Sequence, residues 1–345
     1  MAQALEFRVI SDPDGKFGLF SFSHPLEDQF NALLDQLQDP EVSAFASPEA
    51  REMLMAECSR MVAEAPGFLD AYAHAAGALF ENDEVDAAQV WYQRGLEQAY
   101  AVLPEKFKGP IPWGHIANRP FLRLHHGYLL CLIEKGEYAT AIAGIEQHLK
   151  WNPNDNIGVR HLLVDLYVAT ERDAKAIKLI TKLNEAYPAF CYNLALIEFA
   201  RANYAAALTH LRRGFLENPY IAEMLLGNDN PYPKPMKIHN SDHGIEGAEE
   251  YVNGPAMDRW LDDAVLQFLN WAYNCSQSLK DRARWMELHE RLDGTHDFNE
   301  RGTIINQQSD YLCNAINEAT SARAIRVIEN RYGEILPVWD LDAYS

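Results

Sequence analysis

The chain has 345 residues, of which 30 are lysine or arginine and 50 are aspartate or glutamate, so its formal net charge is −20. We therefore expect no nucleic-acid partner, because phosphate contacts need a basic surface, and no anionic membrane partner. The sequence contains no apolar run of 18 residues, no signal-peptide pattern and no CxxC pair among its five cysteines, so we expect a cytoplasmic protein with reduced thiols.

Residues 1–24 predict a β-hairpin. Two β-rich runs, Leu5–Ile10 and Phe17–Phe22, flank a Pro-Asp-Gly sequence at 13–15 that is typical of a turn. An isolated hairpin is only marginally stable, so we expect it to pack on the first helices.

Residues 25–66 predict two N-terminal helices. The first begins at Pro25 and reaches about Gln38. The second begins after Ser47, whose hydroxyl is a suitable N-terminal cap, and Pro66 ends it.

Residues 67–219 carry paired helical patterns, of which the pair at 118–156 is the clearest. Apolar residues recur at helical spacing on both sides of Glu134–Glu137, where Gly136 suits the left-handed conformation that ends a helix. Further pairs are predicted at 70–100, 159–188 and 190–219. A loop rich in proline and glycine is inserted at 101–119.

These pairs resemble the tetratricopeptide repeat (TPR), a helix pair of about 34 residues. Pro153 and Pro219, which close two of the pairs, lie close to two such periods apart. The aromatic, small and large positions of the repeat pattern in the first pair are occupied by Tyr72, Ala76, Leu79, Ala88, Tyr92 and Gly95. The resemblance implies a right-handed helical solenoid whose concave face is lined by the first helix of each pair, and it implies an interaction function.

A second resemblance covers residues 118–272. Its segments are Arg119-Pro120, Asn152–Asn156, Gly158–Arg160, Asn218–Tyr220, Leu225–Gly227 and Gly247–Val252. They are similar to a region of the suppressor-of-tumorigenicity-seven family of TPR proteins. This resemblance implies a helical-repeat interaction protein and carries over no catalytic residue.

Residues 220–336 predict a C-terminal helical cap. Helices are expected at 220–226, 245–252, 258–273, 281–292 and 303–332, with a long loop at 227–244 and a break near Ser321 in the last helix. Residues 337–345 form an acidic, aromatic tail, which we hypothesise to dock on the protein.

Motifs for catalysis or for a cofactor are missing from the sequence. His289-Glu290 has Asp293 where a zinc protease motif needs its second histidine, and no GxGxxG, GxxxxGK[ST] or GxSxG is present. We expect no cofactor and no metal. Histidines concentrate in two regions, with His115, His125, His126 and His161 in one and His239 and His243 in the other. They leave a hydrolytic enzyme with a His-rich site as one alternative.

One constellation is basic. The TPR resemblance implies that the inward positions of successive first helices, with their neighbours, are Arg119, Arg123, His126, Arg160, Tyr167, Tyr192, Asn193 and Phe199. Arginine forks bind carboxylates through two parallel hydrogen bonds, so these residues predict a groove for an acidic or C-terminal peptide. The alternative is that the arginines pair with the chain's own carboxylates, such as Asp155 or Asp165. The Lys and Asn arrangement of some carboxylate-binding TPR proteins is not reproduced.

The sequence therefore predicts an all-α, TPR-like right-handed helical solenoid with a small N-terminal β-hairpin and a C-terminal helical cap. The predicted function is a non-enzymatic adaptor or scaffold that binds a peptide or partner protein in the concave groove. Besides the hydrolytic enzyme, a structural solenoid that self-associates through the Trp-rich helix at 258–273 is an alternative, so an oligomer is also considered.

Overall fold

The structure is a computed structural model that describes residues 5–13, 15–37, 47–227 and 241–341. Helices dominate the described residues, and a two-stranded hairpin precedes them, which confirms the predicted helical fold with an N-terminal hairpin. The chain forms two compact units, unit 1 (Met1–Leu163) and unit 2 (Val164–Ser345). None of the described helices combines the length and the apolar character needed to cross a bilayer.

Unit 1 contains the hairpin and the first helix pairs. Its elements are β1 (Glu6–Asp12), β2 (Gly15–Ser21), α1 (Leu26–Leu37), α2 (Pro48–Glu64), α3 (Leu69–Phe80), α4 (Val85–Val102), α5 (Arg119–Glu134) and α6 (Tyr138–Trp151), and α7 (Val159–Ala169) contains the boundary with unit 2.

The N-terminal hairpin is held to the start of α5 by one buried amide. The Asn118 side chain accepts a hydrogen bond from the Phe20 backbone N–H (2.9 Å) and donates to the carbonyl oxygen of Gly18 (3.1 Å). The Phe20 ring packs on Phe121 of α5, with 4.9 Å between the ring centroids. These contacts supply the tertiary support that a two-stranded hairpin needs. Asp14 of the predicted turn lies outside the described residues.

Four helix pairs of the described chain close through the same turn. The residue two places before each second helix is left-handed, with φ of 64°, 71°, 55° and 56° at Asp83, Gly136, Glu171 and Ala202. The next N–H of each turn bonds to the carbonyl oxygen five residues earlier, in the pairs Glu84–Leu79, Glu137–Leu132, Arg172–Tyr167 and Asn203–Glu198. This pattern is the Schellman motif that ends helices, and it confirms the left-handed conformation predicted for Gly136.

Close approach of α4 and α5 depends on two glycines. A Cβ atom at Gly127 of α5 would lie 2.1 Å from the Tyr92 ring of α4. A Cβ atom at Gly95 of α4 would lie 2.8 Å from both Leu124 and Tyr72. Because neither position has room for a side chain, these glycines let the second helix of one pair pack tightly on the first helix of the next.

Unit 2 contains the remaining pairs and the C-terminal elements. Its elements are α8 (Asp173–Leu183), α9 (Pro188–Ala200), α10 (Tyr204–Glu217), α11 (Pro219–Leu225), α12 (Ile245–Val252), α13 (Met257–Trp260), α14 (Asp263–Asn274), α15 (Ser276–Gly294), α16 (Phe298–Asp310), α17 (Glu318–Ala322), β3 (Val327–Glu329) and β4 (Ile335–Pro337).

The single helix predicted at 258–273 is two helices, α13 and α14. Asp262 between them caps α14, because its Oδ1 accepts hydrogen bonds from the backbone N–H groups of Ala264 and Val265. A capping aspartate in the extended conformation interrupts the helix, although the apolar spacing continues across the break.

The prediction of a helix that reaches Tyr332 is also wrong. Helix α17 ends at Ala322, and the antiparallel strands β3 and β4 follow. The Asn330 side chain accepts hydrogen bonds from the N–H groups of Tyr332 and Glu334, and Gly333 has a φ of 81°. This turn chemistry favours a hairpin over a helix.

The described part of the C-terminal tail packs on its own unit. Trp339 is 7% exposed and lies against the rings of Tyr204, Phe268 and Trp271, at centroid distances of 4.8, 4.9 and 5.1 Å. Residues 342–345 lie outside the described residues.

Candidate functional site

Two of the predicted groove arginines meet at one indole ring in unit 1. Arg119 and Arg123 lie one turn apart on α5, and their guanidinium carbons are 5.1 and 5.6 Å from the centre of the Trp113 ring. The Arg119 Nε also donates to the carbonyl oxygen of Trp113 at 3.2 Å. A guanidinium within about 6 Å of an indole face is attracted to it, so Trp113 orients both side chains.

Arg123 forms one long ion pair with another described residue. Its Nη1 lies 3.5 Å from Oδ1 of Asp70 on α3, and the two side chains are 45% and 31% exposed. Burial raises the pKa of the Asp70 carboxyl, against the effect of Arg123, which lowers it. Exposed pairs with such geometry add little stability, so Arg123 keeps most of its capacity to bind another carboxylate.

An apolar cleft opens beside this pair. It has a volume of about 250 Å³ and is lined by two carboxylates, Glu27 and Asp70, and by the apolar residues Phe22, Phe68, Ile116 and Pro120. Ile116 is 74% exposed, which is unusual for a large aliphatic side chain. The cleft and the arginines place an apolar contact next to a cationic one.

Arg160 lies beside a carboxylate of its own chain. The buried Asp155 accepts a hydrogen bond from the Arg160 backbone N–H at 2.9 Å, and its Oδ2 is 3.6 Å from the Arg160 Nε. The same carboxylate accepts from the N–H of Val159, and so it caps the start of α7. Arg160 therefore has the internal carboxylate that the alternative interpretation named.

His126 is partly buried, and burial lowers its pKa to about 4.

Tyr192 and Asn193 lie in the interior of unit 2. The Tyr192 hydroxyl donates to the carbonyl oxygen of Asn218 at 2.7 Å. The Asn193 amide donates to Asp165 at 2.6 Å and accepts from the Tyr251 hydroxyl at 3.1 Å. Both side chains are fully buried, so these contacts hold α9 in place and leave no surface for a ligand.

Desolvation raises the pKa of Asp165 to about 7, and Glu250 adds to the effect, whereas the hydrogen bond from Asn193 lowers the pKa.

The other two predicted groove residues are aromatic. Tyr167 is buried, and the Lys175 ammonium lies 5.1 Å from its ring centre. Phe199 is partly buried and packs on Phe268 at 5.1 Å.

Trp113 is a site residue that was not predicted from the sequence. It lies in the inserted loop at 101–119, where no repeat register assigns a position to any side chain. The available signal was a tryptophan six residues before Arg119 in a loop rich in proline and glycine.

Trp260, in the helix considered for self-association, is buried and donates its Nε1–H to the Tyr251 hydroxyl at 2.9 Å.

Two of the described histidines form a pair, and a third contacts a glutamate. His125 of α5 and His148 of α6 are buried, with 3.1 Å between their Nδ1 atoms, so one ring donates and the other accepts. His243 contacts Glu217 at 3.1 Å, and this hydrogen bond raises the pKa of His243. Among the described residues, no group of three or more His, Cys, Asp or Glu side chains could hold a metal ion. His239 lies outside the described residues.

The buried histidine pair predicts a loss of stability in acid. The pKa of His125 is lowered to about 3 and that of His148 to about 4, mainly by burial. The neighbouring histidines contribute to these values: His148 and His126 act on His125, and His126 acts on His148. Because these values lie below the usual 6.5, the unfolded chain takes up protons before the folded one. The free energy of unfolding should therefore fall as the pH falls from about 6.5 towards 4, by on the order of 2 kcal/mol for each imidazole at pH 5.

The measurement is urea unfolding between pH 8 and 4, with His125→Leu/His148→Leu as the comparison. Removing both partners of a buried hydrogen bond is nearly neutral at pH 7, and the variant should lose less stability in acid. Asp165 acts in the opposite direction in both proteins, because its raised pKa stabilises the fold on acidification. If the wild type and the double variant lose the same free energy of unfolding between pH 8 and 4, the histidine pair does not titrate as inferred.

No family model matches the chain, and the comparison with curated proteins gave no match either.

Proposed function

We propose that the protein is a non-enzymatic adaptor or scaffold that binds an acidic or C-terminal peptide of a partner protein. We further propose that its helix pairs stack as a TPR-like right-handed solenoid. The turn shared by four helix pairs supports the solenoid, because repeat proteins build each unit from the same helix-turn-helix. The observation that carries the binding proposal is the presence of two guanidinium groups on one indole, at Arg119, Arg123 and Trp113.

The chemistry of this cluster favours a carboxylate ligand. Stacking on Trp113 limits the conformations of both guanidinium groups, so less side-chain entropy is lost when a carboxylate binds. Asp70 contacts Arg123 at 3.5 Å and is the carboxylate that a ligand would replace. The cleft beside it, with Phe68 and Ile116 in its wall, accepts an apolar side chain from the same peptide. The proposed ligand is thus a peptide with an apolar residue next to a carboxylate.

The test is fluorescence anisotropy with a set of labelled acidic peptides that carry either a free or an amidated C-terminus. For the peptides that bind, Arg119→Ala/Arg123→Ala should weaken binding by about 1.5–3 kcal/mol for each charge-assisted hydrogen bond that is lost. Lysine at both positions should restore only part of the affinity, because a point charge cannot make the forked contact.

Arg94→Ala is the matched control. Arg94 also stacks on aromatic rings of unit 1, 5.1 Å from Trp91 and 5.8 Å from Tyr72, but it belongs to the second helix of its pair. Its removal should leave peptide affinity unchanged. An equal loss of affinity in Arg94→Ala, or an unchanged affinity in the double variant, rejects the cluster as the peptide site.

A further inference from the structure

A cavity in unit 2 carries two arginines and no acidic residue among the described residues that line it. Its volume is about 350 Å³, and Arg323 and Arg326 contribute to its wall together with Trp271, Ser276 and Val338. Sites for small molecules occupy about 300–1,000 Å³, so the cavity is large enough for a small organic ligand.

Both arginines are exposed, and neither forms an ion pair with another described residue. Other arginines of unit 2 do have such partners: Arg212 pairs with Asp281, Arg259 with Asp173 and Arg284 with Glu287. The chain carries 50 carboxylate side chains against 30 cationic ones, so carboxylates are available in excess. Four further arginines of unit 2, Arg213, Arg282, Arg291 and Arg301, form no such pair but donate hydrogen bonds to oxygen acceptors. Among the described residues, neither Arg323 nor Arg326 forms either kind of contact, so both guanidinium groups are available to a ligand.

The backbone on both sides of the cavity is fixed. Arg323 directly follows α17, whose start is closed by a capping box at Asn317 and Thr320. The carbonyl oxygen of Arg326 accepts a hydrogen bond at 3.0 Å from the N–H of Val338, the residue that follows β4. The guanidinium groups thus extend from anchored positions, and a bound ligand would order only the side chains.

We propose that this cavity binds the phosphate group of a small organic phosphate ester. A single bidentate guanidinium satisfies both oxygens of a carboxylate, whereas a phosphate monoester offers three oxygens and a charge near −2 to two guanidiniums. The Trp271 indole and Val338 supply an apolar wall for the organic part of the ester. Ser276, the first residue of α15, also lines the cavity, and the positive end of that helix adds to the attraction of an anion. This site is separate from the proposed peptide site of unit 1.

The test is calorimetric titration of the full chain with phenyl phosphate at constant ionic strength. Inorganic phosphate and benzoate are titrated in parallel, to separate the phosphate group from the ester and from a carboxylate. Phenyl phosphate should bind saturably, and more tightly than benzoate. Arg323→Ala and Arg326→Ala should each weaken that binding roughly tenfold to a hundredfold, and the double variant should weaken it further.

Arg284→Ala removes one positive charge from α15 of the same unit and is the control for general charge attraction. Its affinity for phenyl phosphate should equal that of the wild type. Melting temperatures are measured alongside; if an alanine variant is unstable, the lysine variants of Arg323 and Arg326 replace it and should bind more weakly than the wild type. The proposal is overturned if phenyl phosphate does not bind, if benzoate binds equally well, or if Arg284→Ala loses as much affinity as the cavity variants.

Discussion

Replacement of Asp281 by alanine is expected to lower the free energy of unfolding by about 3–5 kcal/mol. Asp281 of α15 accepts a hydrogen bond from the Arg212 Nε of α10 at 2.6 Å, and the two side chains are only 2% and 0% exposed. The substitution would leave the Arg212 charge buried without its carboxylate. Removal of one partner of a buried ion pair is costly for this reason, even where the intact pair adds little net stability.

The loss should appear as a melting temperature lower by about 6–20 °C for a unit of this size. The control is Arg284→Ala, which breaks an exposed pair on the same helix and should leave the melting temperature unchanged. The apolar double variant Arg212→Met/Asp281→Leu should lose less stability than Asp281→Ala, because no buried charge remains. A wild-type melting temperature for Asp281→Ala would mean that water reaches Arg212 and replaces the carboxylate.

The polar network around this pair joins distant parts of unit 2. Tyr311 and Gln277 both donate hydrogen bonds to Asp281, at 2.9 and 3.1 Å. Arg212 also donates to the hydroxyls of Thr320 and Ser321, at 2.8 and 2.9 Å. Helix α10 is thereby tied to α15, to α17 and to the π-helix Tyr311–Ala315 that follows α16. Each buried donor or acceptor in the network adds to the free energy needed to open the unit.

This network could not be predicted from the sequence. Arg212 and Asp281 are 69 positions apart, and both look like surface residues of amphipathic helices. Arginine and aspartate are rarely buried, so these residue types predict exposed side chains. Their burial depends on how the helices after residue 219 pack on α10, and local sequence patterns do not predict that packing.

Local signals did predict the helix pairs and the N-terminal hairpin. Apolar spacing gave the helices, and Gly136 correctly marked one left-handed turn. The other three shared turns use Asp83, Glu171 and Ala202, which lack the glycine signal, so the recurrence of the turn became clear only from the backbone. The strands β3 and β4 have three residues each, which is too short for a clear strand pattern in the sequence. The helical pattern before them was therefore extended to Tyr332.

The candidate site was predictable only where the repeat register applied. Arg123 follows from the register of α5 and Arg119 lies one turn before it, whereas Trp113 belongs to an insertion without a period. Tyr192 and Asn193 were assigned to a groove by the same register, but the Tyr251 hydroxyl and the Trp260 ring lie against them. Contacts from helices outside the repeats thus determine which inward residues remain accessible.

The second large effect is expected for Trp339→Ala. The Trp339 side chain fills a site between α10 and α14, where it contacts Tyr204, Phe268 and Trp271. Replacing a buried tryptophan by alanine costs about 3–5 kcal/mol, because both the transfer of the ring and the cavity left behind oppose folding. Beyond this ring, the Leu341 N–H donates a hydrogen bond to the Gln267 side chain of α14 at 3.2 Å. The variant should therefore release the tail and the hairpin of β3 and β4.

The measurement is limited trypsin digestion of the native protein, with cleavage after Arg326 and Arg331 followed by mass spectrometry. Cleavage at both sites should be faster in Trp339→Ala, because a released segment fits the protease more readily than a strand or a tight turn. Tyr332→Ala is the matched control, since Tyr332 is an aromatic residue of the same hairpin that is 68% exposed and should have little effect. Trp339→Phe should give an intermediate rate, because a smaller ring retains part of the contact with Phe268. Equal cleavage rates in wild type and Trp339→Ala would show that the tryptophan does not hold the C-terminal segment on unit 2.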